Sequence, residues 1–417
     1  MSSEWTRTTW GEVATLEYGK ALRDYQNIAE GFPVYGTNGP IGFHDTALCK
    51  TPGVVIGRKG AYRGVHYSSR PFFVIDTAFY LKPKAEIDMR WAYYALLTCD
   101  INNMDSGSAI PSTSRDEFYK LSVFVPPLAQ QVLIAEFLAK FDDRITLLRE
   151  TNTTLEAIAQ ALFKSWFVDF DPVHAKMQGR APEGMIDATA ALFPDSFEGS
   201  ELGPVPKGWR LKTMADVSTI GIGKTPPRKE PQWFTENSSD VRWVSIRDMG
   251  NVGIYASQTS EYLTSEAVEK FNVRVVPDNT TLMSFKLTIG RVALTDGEMT
   301  TNEAIAHFKL DKKSPVTSEF IYLYLKQFNF SSLSSTSSIA EAVNSKTVRE
   351  IPILVSSSEL MTAFQDNVNP LFNQLKNAEA LAANLSAIRD TLLPRLISGQ
   401  LRSSELESFI GEKVLSS

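Results

Sequence analysis

Two long stretches of the chain carry apolar residues at the spacing of a helical seam. From Leu138 to Leu162 the apolar positions recur at alternating steps of three and four residues, with the polar Asn152 among them. Residues 128–165 contain neither proline nor glycine, which predicts one helix roughly 55 Å long at about 1.5 Å per residue. A second such stretch, residues 358–393, is expected to end at Pro394. The seam positions are Leu138, Phe141, Ile145, Leu148, Leu155 and Leu162, then Leu371, Leu375, Leu385, Ile388 and Leu392.

Each predicted helix has an apolar stripe that it cannot bury alone. The simplest way to bury both stripes is to pack the two helices on each other, as a coiled coil within one chain. The alternative is that each helix packs on its own globular domain or on a partner protein.

The rest of the sequence contains one unit twice. Matched residues lie 204 positions apart near the start of the copies, 227 apart in the middle and 230 apart at the end. Examples are Trp5 with Trp209, Gly19 with Gly223, Lys59 with Lys286, and Leu121 with Ile351. A period this long indicates a duplicated domain rather than a solenoid. The change in spacing along the copies indicates that their interiors were free to diverge. The two copies can therefore recognise two different targets.

Short β-type runs broken by glycine, proline and asparagine predict a mixed, loop-rich domain in each copy. The connector between the copies is rich in large apolar residues, so we expect it to dock on the rest of the chain. The predicted order is a first domain at 1–125, a first helix at 126–165, the connector at 166–208, a second domain at 209–355, a second helix at 356–398 and a C-terminal tail at 399–417.

Composition and charge narrow the class of protein. The sequence shows no secretory signal and no apolar run near the roughly 20 residues that cross a bilayer, so we expect a cytoplasmic protein. Cys49 and Cys99 are expected to stay reduced there, and the four histidines lack the spacing of metal ligands. A net charge of −6 is unusual for a nucleic-acid binder, but local basic patches at 58–63 and 224–229 matter more than the total.

No catalytic motif is complete in this sequence. The segment 221–225 is similar to the end of a phosphate-binding loop, but Ser218 stands where the first glycine is required. Pro226 and Pro227 also prevent the helix that must follow. Asp171-Pro172 lacks the second proline and the aromatic residue of an amino-methyltransferase loop, and neither a nucleophile elbow nor a zinc-protease motif occurs. We therefore predict no catalytic residue and no metal site.

Several strings of residues resemble one known family. They are the segment from Leu162 to Pro172, then 192–197, 201–203 and 206–209, and the stretch from Leu392 to Arg402. These strings, together with the duplicated arrangement of nearly the whole chain, are similar to the specificity subunits of type I restriction-modification enzymes. The central string is long and specific, whereas the interior of each copy matches only in outline.

The resemblance implies an α+β fold with two similar α/β target recognition domains, separated by two long antiparallel helices that form an intramolecular coiled coil. Each domain would read one half of an asymmetric, bipartite site in double-stranded DNA. Methylation subunits, expected as two copies, and restriction subunits would dock on the chain, with Trp166, Phe167 and Phe170 as the docking residues. S-adenosylmethionine, ATP and magnesium would then be bound by these partners, in the cytoplasm of a prokaryote.

Candidate DNA contacts lie in the basic, loop-like parts of each copy, including the polar loops 108–115 and 337–346. Arginine and lysine can pair with guanine edges or phosphates, and asparagine with adenine. For each residue, a solvated surface charge is an equal alternative. The candidates are Lys20, Arg23, Arg58, Lys59, Tyr62, Arg63, Ser112, Thr113 and Arg115 in the first copy, and Lys224, Arg228, Lys229, Arg247, Lys286, Arg291, Asn344 and Lys346 in the second.

Two other functions remain open at this point. One is a stand-alone DNA-binding regulator with a coiled-coil core, and the other is a scaffold that bridges two protein partners. DNA methylation that appears only when a methylation subunit is added would exclude both.

Overall fold

A computed structural model describes residues 5–104, 110–201, 203–333 and 344–401. It shows an α+β protein that divides into two compact units. The first unit contains residues 1–146 and 383–417, and the second contains residues 147–382. Each unit therefore holds one copy of the repeat and a part of each long helix.

The first unit begins with a mixed domain. Its elements are β1 (Thr6–Thr9), α1 (Trp10–Val13), β2 (Ala14–Tyr18), β3 (Phe32–Gly36), β4 (Gly39–His44), β5 (Gly53–Gly57), β6 (Val65–Ser68), β7 (Phe73–Val74), β8 (Ala78–Pro83), α2 (Met89–Leu97), α3 (Arg115–Lys120) and β9 (Ser122–Val125). The strands form an antiparallel sheet in the order β2-β8-β5-β6, a smaller sheet in the order β4-β3-β7, and the pair β1-β9. The first long helix, α4 (Leu128–Phe167), follows.

The second unit contains the connector and the second domain. The connector elements are α5 (Asp171–Met177), α6 (Asp187–Ala191), β10 (Phe197–Ser200) and β11 (Gly203–Pro206). The domain elements are β12 (Arg210–Thr213), α7 (Met214–Val217), β13 (Thr219–Ile222), β14 (Phe234–Thr235), β15 (Val241–Val244), β16 (Tyr255–Ala256), β17 (Glu261–Leu263), α8 (Ser265–Lys270), β18 (Thr281–Ser284), β19 (Val292–Thr295), β20 (Thr300–Thr301), β21 (Ile305–Lys309), α9 (Ser318–Gln327), α10 (Ser345–Arg349) and β22 (Pro352–Val355). The second long helix, α11 (Ser358–Ile397), ends the described elements. The main sheet has the order β13-β21-β18-β19-β16, and a second sheet has the order β14-β17-β15-β20.

The duplicated domain is confirmed at the level of single hydrogen-bonded pairs. In the first domain β1 pairs with β9 so that Thr6 faces Val125, and in the second β12 pairs with β22 so that Arg210 faces Val355. The shift between these pairs is 204 on one strand and 230 on the other, as in the sequence repeat. The copies therefore share one backbone framework even where their side chains differ.

Gly19 and Gly223 serve this framework. The Gly19 N–H donates to the Ala78 carbonyl at 3.1 Å, and the Gly223 N–H donates to the matched Ile305 carbonyl at 3.1 Å. A Cβ atom at Gly19 would overlap the Ile75 carbonyl, and one at Gly223 would overlap the carbonyl at 302. A close backbone approach, rather than a contact with a ligand, thus explains glycine at both positions.

The two long helices pack together, as the apolar seam predicts. In the first unit, Arg389 of α11 forms an ion pair with Asp142 of α4. In the second unit, the Asn152 side chain of α4 donates to the Leu375 carbonyl of α11 at 3.3 Å. The start of one helix thus faces the end of the other, which makes the pair antiparallel. A seam asparagine of this kind favours one register over its alternatives.

The seam positions differ in burial. Leu138, Ile145, Leu148 and Leu375 are buried. A second set is half-buried and consists of Phe141, Leu155, Leu162, Leu371, Leu385 and Leu392. The prediction for Ile388 is wrong, because its side chain is 47% exposed. The neighbouring Arg389 faces α4 instead, since its guanidinium pairs with Asp142.

The helices also pack on the globular domains, so the two burial schemes considered for them occur together. In the first unit, Ile134 and Leu138 of α4 and Leu396 of α11 join the core that contains Trp10 and Trp91. In the second unit, α4 and α11 supply residues to the core that surrounds Phe320. Their aromatic and aliphatic members include Phe163, Phe167, Leu360, Phe364, Val368 and Phe372.

The predicted end of α11 at Pro394 is also wrong, because the helix continues to Ile397. Proline removes one backbone donor from a helix. Here the turn around it is held by burial, since Leu393, Leu396 and Ile397 lie in the core of the first unit. The Ser398 N–H also donates to the Pro394 carbonyl at 3.0 Å.

Candidate nucleic-acid interface

A cleft of about 720 Å³ opens on the first domain. Three segments build its walls: the end of β2, the loop after β5, and the loop that leads into α3. The Gly60 N–H donates to the Pro111 carbonyl at 3.0 Å and the Thr113 N–H donates to the Arg58 carbonyl at 2.9 Å, so the two loops are held side by side. The lining residues are Tyr18, Arg58, Lys59, Phe79, Ile110, Ser112, Thr113, Ser114, Arg115, Asp116 and Tyr119.

Tyr18 lies near two guanidinium groups in this cleft. The Arg58 Cζ is 4.9 Å from the centre of the Tyr18 ring, and the Arg115 Cζ is 5.2 Å from it. Cation–π attraction of this kind contributes about 0.5–1 kcal/mol at an exposed site. The ring is 48% exposed, so it positions the two cations while one part remains open to solvent.

Hydrogen bonds fix the two arginines further. Arg58 Nη1 donates to the Asp76 carbonyl at 2.8 Å. Arg115 Nη2 donates to the Tyr119 hydroxyl at 3.0 Å, and this bond raises the pKa of Arg115. In the part of the chain that the structure describes, no ion pair joins either arginine or Lys59 to a carboxylate. The cleft therefore presents three cations that can accept an anion such as a phosphate.

Arg63 does not belong to this surface, although the sequence placed it among the DNA contacts. Its side chain is 1% exposed. Its guanidinium donates to the carbonyls of Gly60, Ile101, Asn102 and Met104, at 2.6–3.0 Å. A buried cation needs such acceptors, and together they hold the turn after β5 against the segment 101–104. The role of Arg63 is structural.

The other candidates of the first domain differ in exposure. The side chains of Lys20, Arg23, Lys59 and Tyr62 are exposed, whereas Ser112 is half-buried in the wall of the cleft. Thr113 is buried and its hydroxyl donates to the Gly57 carbonyl at 2.7 Å, so it is not available to DNA and that prediction is wrong. Of the polar loop 108–115, residues 108 and 109 lie outside the described residues.

In the second domain Arg228 is held by several contacts. Its Nη1 and Nη2 donate to the two carboxylate oxygens of Glu261, both at 2.8 Å. Its Cζ also lies 4.1 Å from the centre of the Phe234 ring and 4.7 Å from that of Trp243. Glu261 balances the Arg228 charge, which leaves this residue less free to bind a phosphate than Arg58.

The remaining candidates of the second domain lie on several loops. Lys224, Lys229, Arg247 and Lys286 are exposed. Arg291 is half-buried and its Nη1 donates to the Ile246 carbonyl at 2.8 Å, which places it beside Arg247.

The two candidates at the start of α10 have local partners. Asn344 caps this helix, because its side-chain oxygen accepts from the N–H groups of Lys346 and Thr347 at 2.8 and 3.0 Å. Ser114 does the same at the start of α3, where its hydroxyl accepts from the Glu117 N–H at 3.3 Å, so Asn344 has a structural role. Lys346 is exposed and lies 3.8 Å from a Glu350 oxygen. Residues 337–343 of the polar loop 337–346 are outside the described part of the chain.

Two of the three predicted docking residues are not on the surface. Trp166 and Phe167 are buried, and Phe170 is partly buried. The Trp166 ring centre lies 5.1 Å from that of Phe193, and the Phe167 ring centre lies 5.4 Å from that of Trp209. Trp166 and Phe167 hold the connector in the core of the second unit, so their assignment to partner docking is wrong, whereas that of the partly buried Phe170 stays a prediction.

The most informative residues of the cleft, Tyr18 and Tyr119, were missed by reasoning from the sequence. Basic residues were selected by charge, and aromatic residues beside them carried no separate signal. A usable signal does exist: Tyr18 stands one residue before the matched Gly19, and its counterpart in the second copy is Ile222. A residue that differs between the two copies, beside a glycine that both copies keep, indicates a surface that was free to diverge.

The described residues contain neither a membrane-spanning helix nor a metal-binding cluster. No described helix is long and apolar enough to cross a membrane. Within the same residues, no cluster of histidine, cysteine, aspartate and glutamate is suited to hold a metal ion. Cys49 and Cys99 are free thiols, as expected.

Comparison with known proteins places this fold in a family. Residues 2–157 and 206–376 match the family described as type I restriction modification DNA specificity domain. The HindI specificity subunit of a type I restriction enzyme from Haemophilus influenzae is 30% identical over 380 residues, which are 79% of this chain and 81% of that protein. The MjaIX specificity subunit from Methanocaldococcus jannaschii is 23% identical over 337 residues, 78% of this chain and 72% of that protein.

A solved structure shares the fold. The S subunit of a type I restriction-modification system from M. genitalium has a TM-score of 0.58 at 18% identity, over 95% of this chain and 96% of that one. The family match covers both copies of the repeat, and the curated relative covers most of the chain. The chain therefore belongs to the family of type I restriction-modification DNA specificity subunits and is itself not an enzyme.

Proposed function

We propose that this chain selects the DNA sequence for a type I restriction-modification complex by reading an asymmetric, bipartite site. Each globular domain reads one half-site, and a non-specific gap separates the halves. One observation carries the proposal: the two domains share their backbone pairing, while the cations on their loops stand in different surroundings. Two copies of one framework with different surfaces suit two different half-sites.

The cleft of the first domain is the proposed contact of that domain with DNA. Arg58, Lys59 and Arg115 supply positive charge that can bind phosphates or the acceptor edge of guanine. Tyr18 holds the two arginines in place, so little side-chain freedom is lost on binding. Lys20 and Tyr62 add exposed groups on the neighbouring turns.

In the second domain the proposed contacts are spread over exposed loops. Lys224 and Lys229 flank Arg228, and Lys286 and Arg247 lie on two further loops. Because Glu261 compensates the Arg228 charge, we expect Arg228 to position its loop more than to bind a phosphate.

Catalysis belongs to partners in this proposal. Two methylation subunits and the restriction subunits bind S-adenosylmethionine, ATP and magnesium, and the complex acts in the cytoplasm of a prokaryote. Exposed isoleucines on the long helices support two equivalent docking surfaces. Ile158 on α4 is 50% exposed, and Ile388, its match at a distance of 230, is 47% exposed on α11. Single exposed apolar residues are common, so the match between the two copies, more than the exposure of either side chain, supports two copies of one partner.

The test removes two cations of the cleft, as Arg58→Gln with Arg115→Gln. We expect single-molecule methylation maps of cells that carry the system to show relaxed selection in one half-site only. The salt dependence of DNA binding by the purified complex should also fall, by up to ~0.9 in logarithmic slope for each phosphate that is no longer neutralised.

The matched control removes two exposed cations from the connector, as Arg180→Gln with Lys207→Gln. This control should change neither the methylation map nor the salt slope. Equal relaxation of both half-sites by the cleft variant would show that the domains do not read independently. A complete absence of methylation by the wild-type chain with its methylation subunits would contradict the proposed function itself.

A further inference from the structure

The loop between β18 and β19 ends in a strained turn. The Thr288 N–H donates to the Lys286 carbonyl at 2.8 Å, and Leu287 between them has a φ of +63°. A hydrogen bond across a single residue with positive φ defines a γ-turn of the rare, strained kind. The turn is closed further by the Gly290 N–H, which donates to the Ser284 carbonyl at 2.9 Å, and by a bond from the Ser284 hydroxyl to the Thr288 carbonyl.

Leucine is an unexpected residue at the centre of this turn. Positive φ is uncommon for a residue with a side chain and costs about 1–3 kcal/mol, whereas glycine adopts it freely. Burial does not offset this cost, because the Leu287 side chain is 91% exposed. Within the described residues, Leu287 also belongs to none of the hydrophobic clusters. The fold of the free chain therefore gives no reason for leucine at this position.

The surroundings of the tip point to nucleic acid. Lys286, next to Leu287, is exposed, and Ile289 adds a second apolar side chain that is 43% exposed. The matched turn of the first domain, between β5 and β6, carries the exposed Lys59 and a Tyr62 that is 65% exposed. Both copies thus combine a lysine with a large, solvent-facing side chain on the same turn, where Tyr62 matches Ile289 and Gly60 matches Leu287. Proteins that deform DNA combine these two features, since cations bind the backbone while an apolar side chain enters between base pairs.

We propose that Leu287 is a wedge that enters the DNA of the second half-site and unstacks one base step. Lys286 binds the DNA backbone beside that step, and the closed γ-turn keeps the tip of the loop rigid. The wedge rests on the proposed function, because it requires that the second domain binds DNA. It adds a contribution to site selection that does not depend on base edges, since base steps differ in how easily they are unstacked.

The experiment uses the purified complex of the full chain with its partner subunits. The probe is a duplex that carries the site defined by methylation mapping, with 2-aminopurine at successive positions of the second half-site. We expect the wild-type complex to raise 2-aminopurine fluorescence severalfold at one position other than the methylated adenine, because unstacking relieves its quenching and a methyltransferase flips only its target base. Leu287→Gly should abolish this signal and weaken binding roughly tenfold or more, as expected for one leucine side chain that is no longer buried in the complex.

Two further variants and three possible outcomes make the experiment decisive. Leu287→Gly should fold at least as stably as the wild type, because glycine relieves the strain of the turn. Leu287→Phe should restore the signal, and Val275→Ala, which removes another exposed apolar side chain of the same domain, should leave it unchanged. Tight binding by the wild-type complex without a signal outside the methylated adenine would overturn the wedge and leave DNA reading intact. Loss of partner subunits on purification of Leu287→Gly would assign the tip to a protein contact, which also overturns it. No binding to any duplex would instead contradict the proposed function.

Discussion

The first and second domains share a backbone but differ in how they hold their cations. In the first, Arg58 and Arg115 lie against Tyr18 in an open cleft, without a carboxylate partner among the described residues. The matched positions in the second domain are Ile222, Phe285 and Ser345, none of which is charged. Its Arg228 lies on a different loop and is paired with Glu261. Divergence has thus replaced the proposed binding surface while it kept the framework.

The framework itself tolerates chemical exchange when the hydrogen bond is kept. In the first domain, the Tyr119 hydroxyl accepts from the Leu16 N–H at 3.1 Å. The matched residue in the second domain, Arg349, donates to the carbonyl of Ile220, the counterpart of Leu16, at 3.3 Å. The two side chains tie α3 and α10 to the same strand with opposite polarity. What the two copies share is the connection between elements, not the residue type.

The largest expected loss of stability comes from a charged residue in the helix seam. One such substitution is made in each unit. Ile145 and Leu375 are matched seam positions, and both are buried. Ile145→Asp and Leu375→Asp should each lower the free energy of unfolding by about 3–5 kcal/mol, because a carboxylate would be buried without a partner. Urea denaturation would measure the loss of stability, and hydrogen exchange of the native protein would locate it in one unit.

Controls on the same helices make that comparison sharper. Leu147 is 51% exposed and Leu381 is 40% exposed, so Leu147→Asp and Leu381→Asp should cost far less. If Ile145→Asp opens both units equally, the two units unfold as one, and the view of two separate frameworks fails.

The next effect, about 1–3 kcal/mol, concerns the matched glycines. Gly19→Ala and Gly223→Ala each place a Cβ against a backbone carbonyl, that of Ile75 or that of Asn302. These matched carbonyls accept from the N–H groups of Ala78 and Ile305, so they cannot move without loss of that hydrogen bond. We expect equal destabilisation of the two domains, measured by thermal unfolding of the purified chain. Gly199→Ala is the control, since nothing lies within 4 Å of a Cβ at that position. A loss in one domain only would mean that the shared backbone is rigid in one copy and adaptable in the other.

The smallest effect is a difference between the two domains in how their stability depends on pH. Burial, with the nearby charges of Lys309 and Arg274, lowers the pKa of His307 from its ordinary 6.5 to about 3. The unfolded chain therefore takes up a proton below about pH 6.5 that the folded chain excludes, and stability falls as the pH drops towards 3. At pH 5 the loss should be about 2 kcal/mol, at about 1.4 kcal/mol for each pH unit. The matched residue of the first domain is Tyr80. Burial also lowers the pKa of His66 in the first domain, so that domain should show a weaker form of the same effect.

Hydrogen exchange at pH 7 and pH 5 would measure this difference. His307→Gln keeps a group that can bond to Thr301 and should remove most of the extra acid sensitivity of the second domain. An unchanged pH dependence in this variant would assign the acid sensitivity to other groups.

Sequence reasoning predicted the repeat, the helix pair and the family, but was less successful with single site residues. Arg63 was selected for its charge, yet it is buried on four carbonyl groups. Trp166 and Phe167 were assigned to docking because of their place in a specific string, but they fill the core of the second unit. In each case the residue type was read correctly as important. Whether it faced solvent depended on chain segments far away in sequence.

The sequence by itself determined the periodic and repeated features of this protein, because a seam or a matched glycine depends on local spacing. Residues three and four apart share a helix face whatever the rest of the chain does. Only the tertiary structure decided which cations stay free. The pairing of the loops 57–60 and 110–114 brings Arg115 beside Arg58 and Tyr18 and leaves Arg63 inside. The sequence shows that a residue is charged but not which way its side chain points, because the exposure of a cation follows from the packing of remote segments around it.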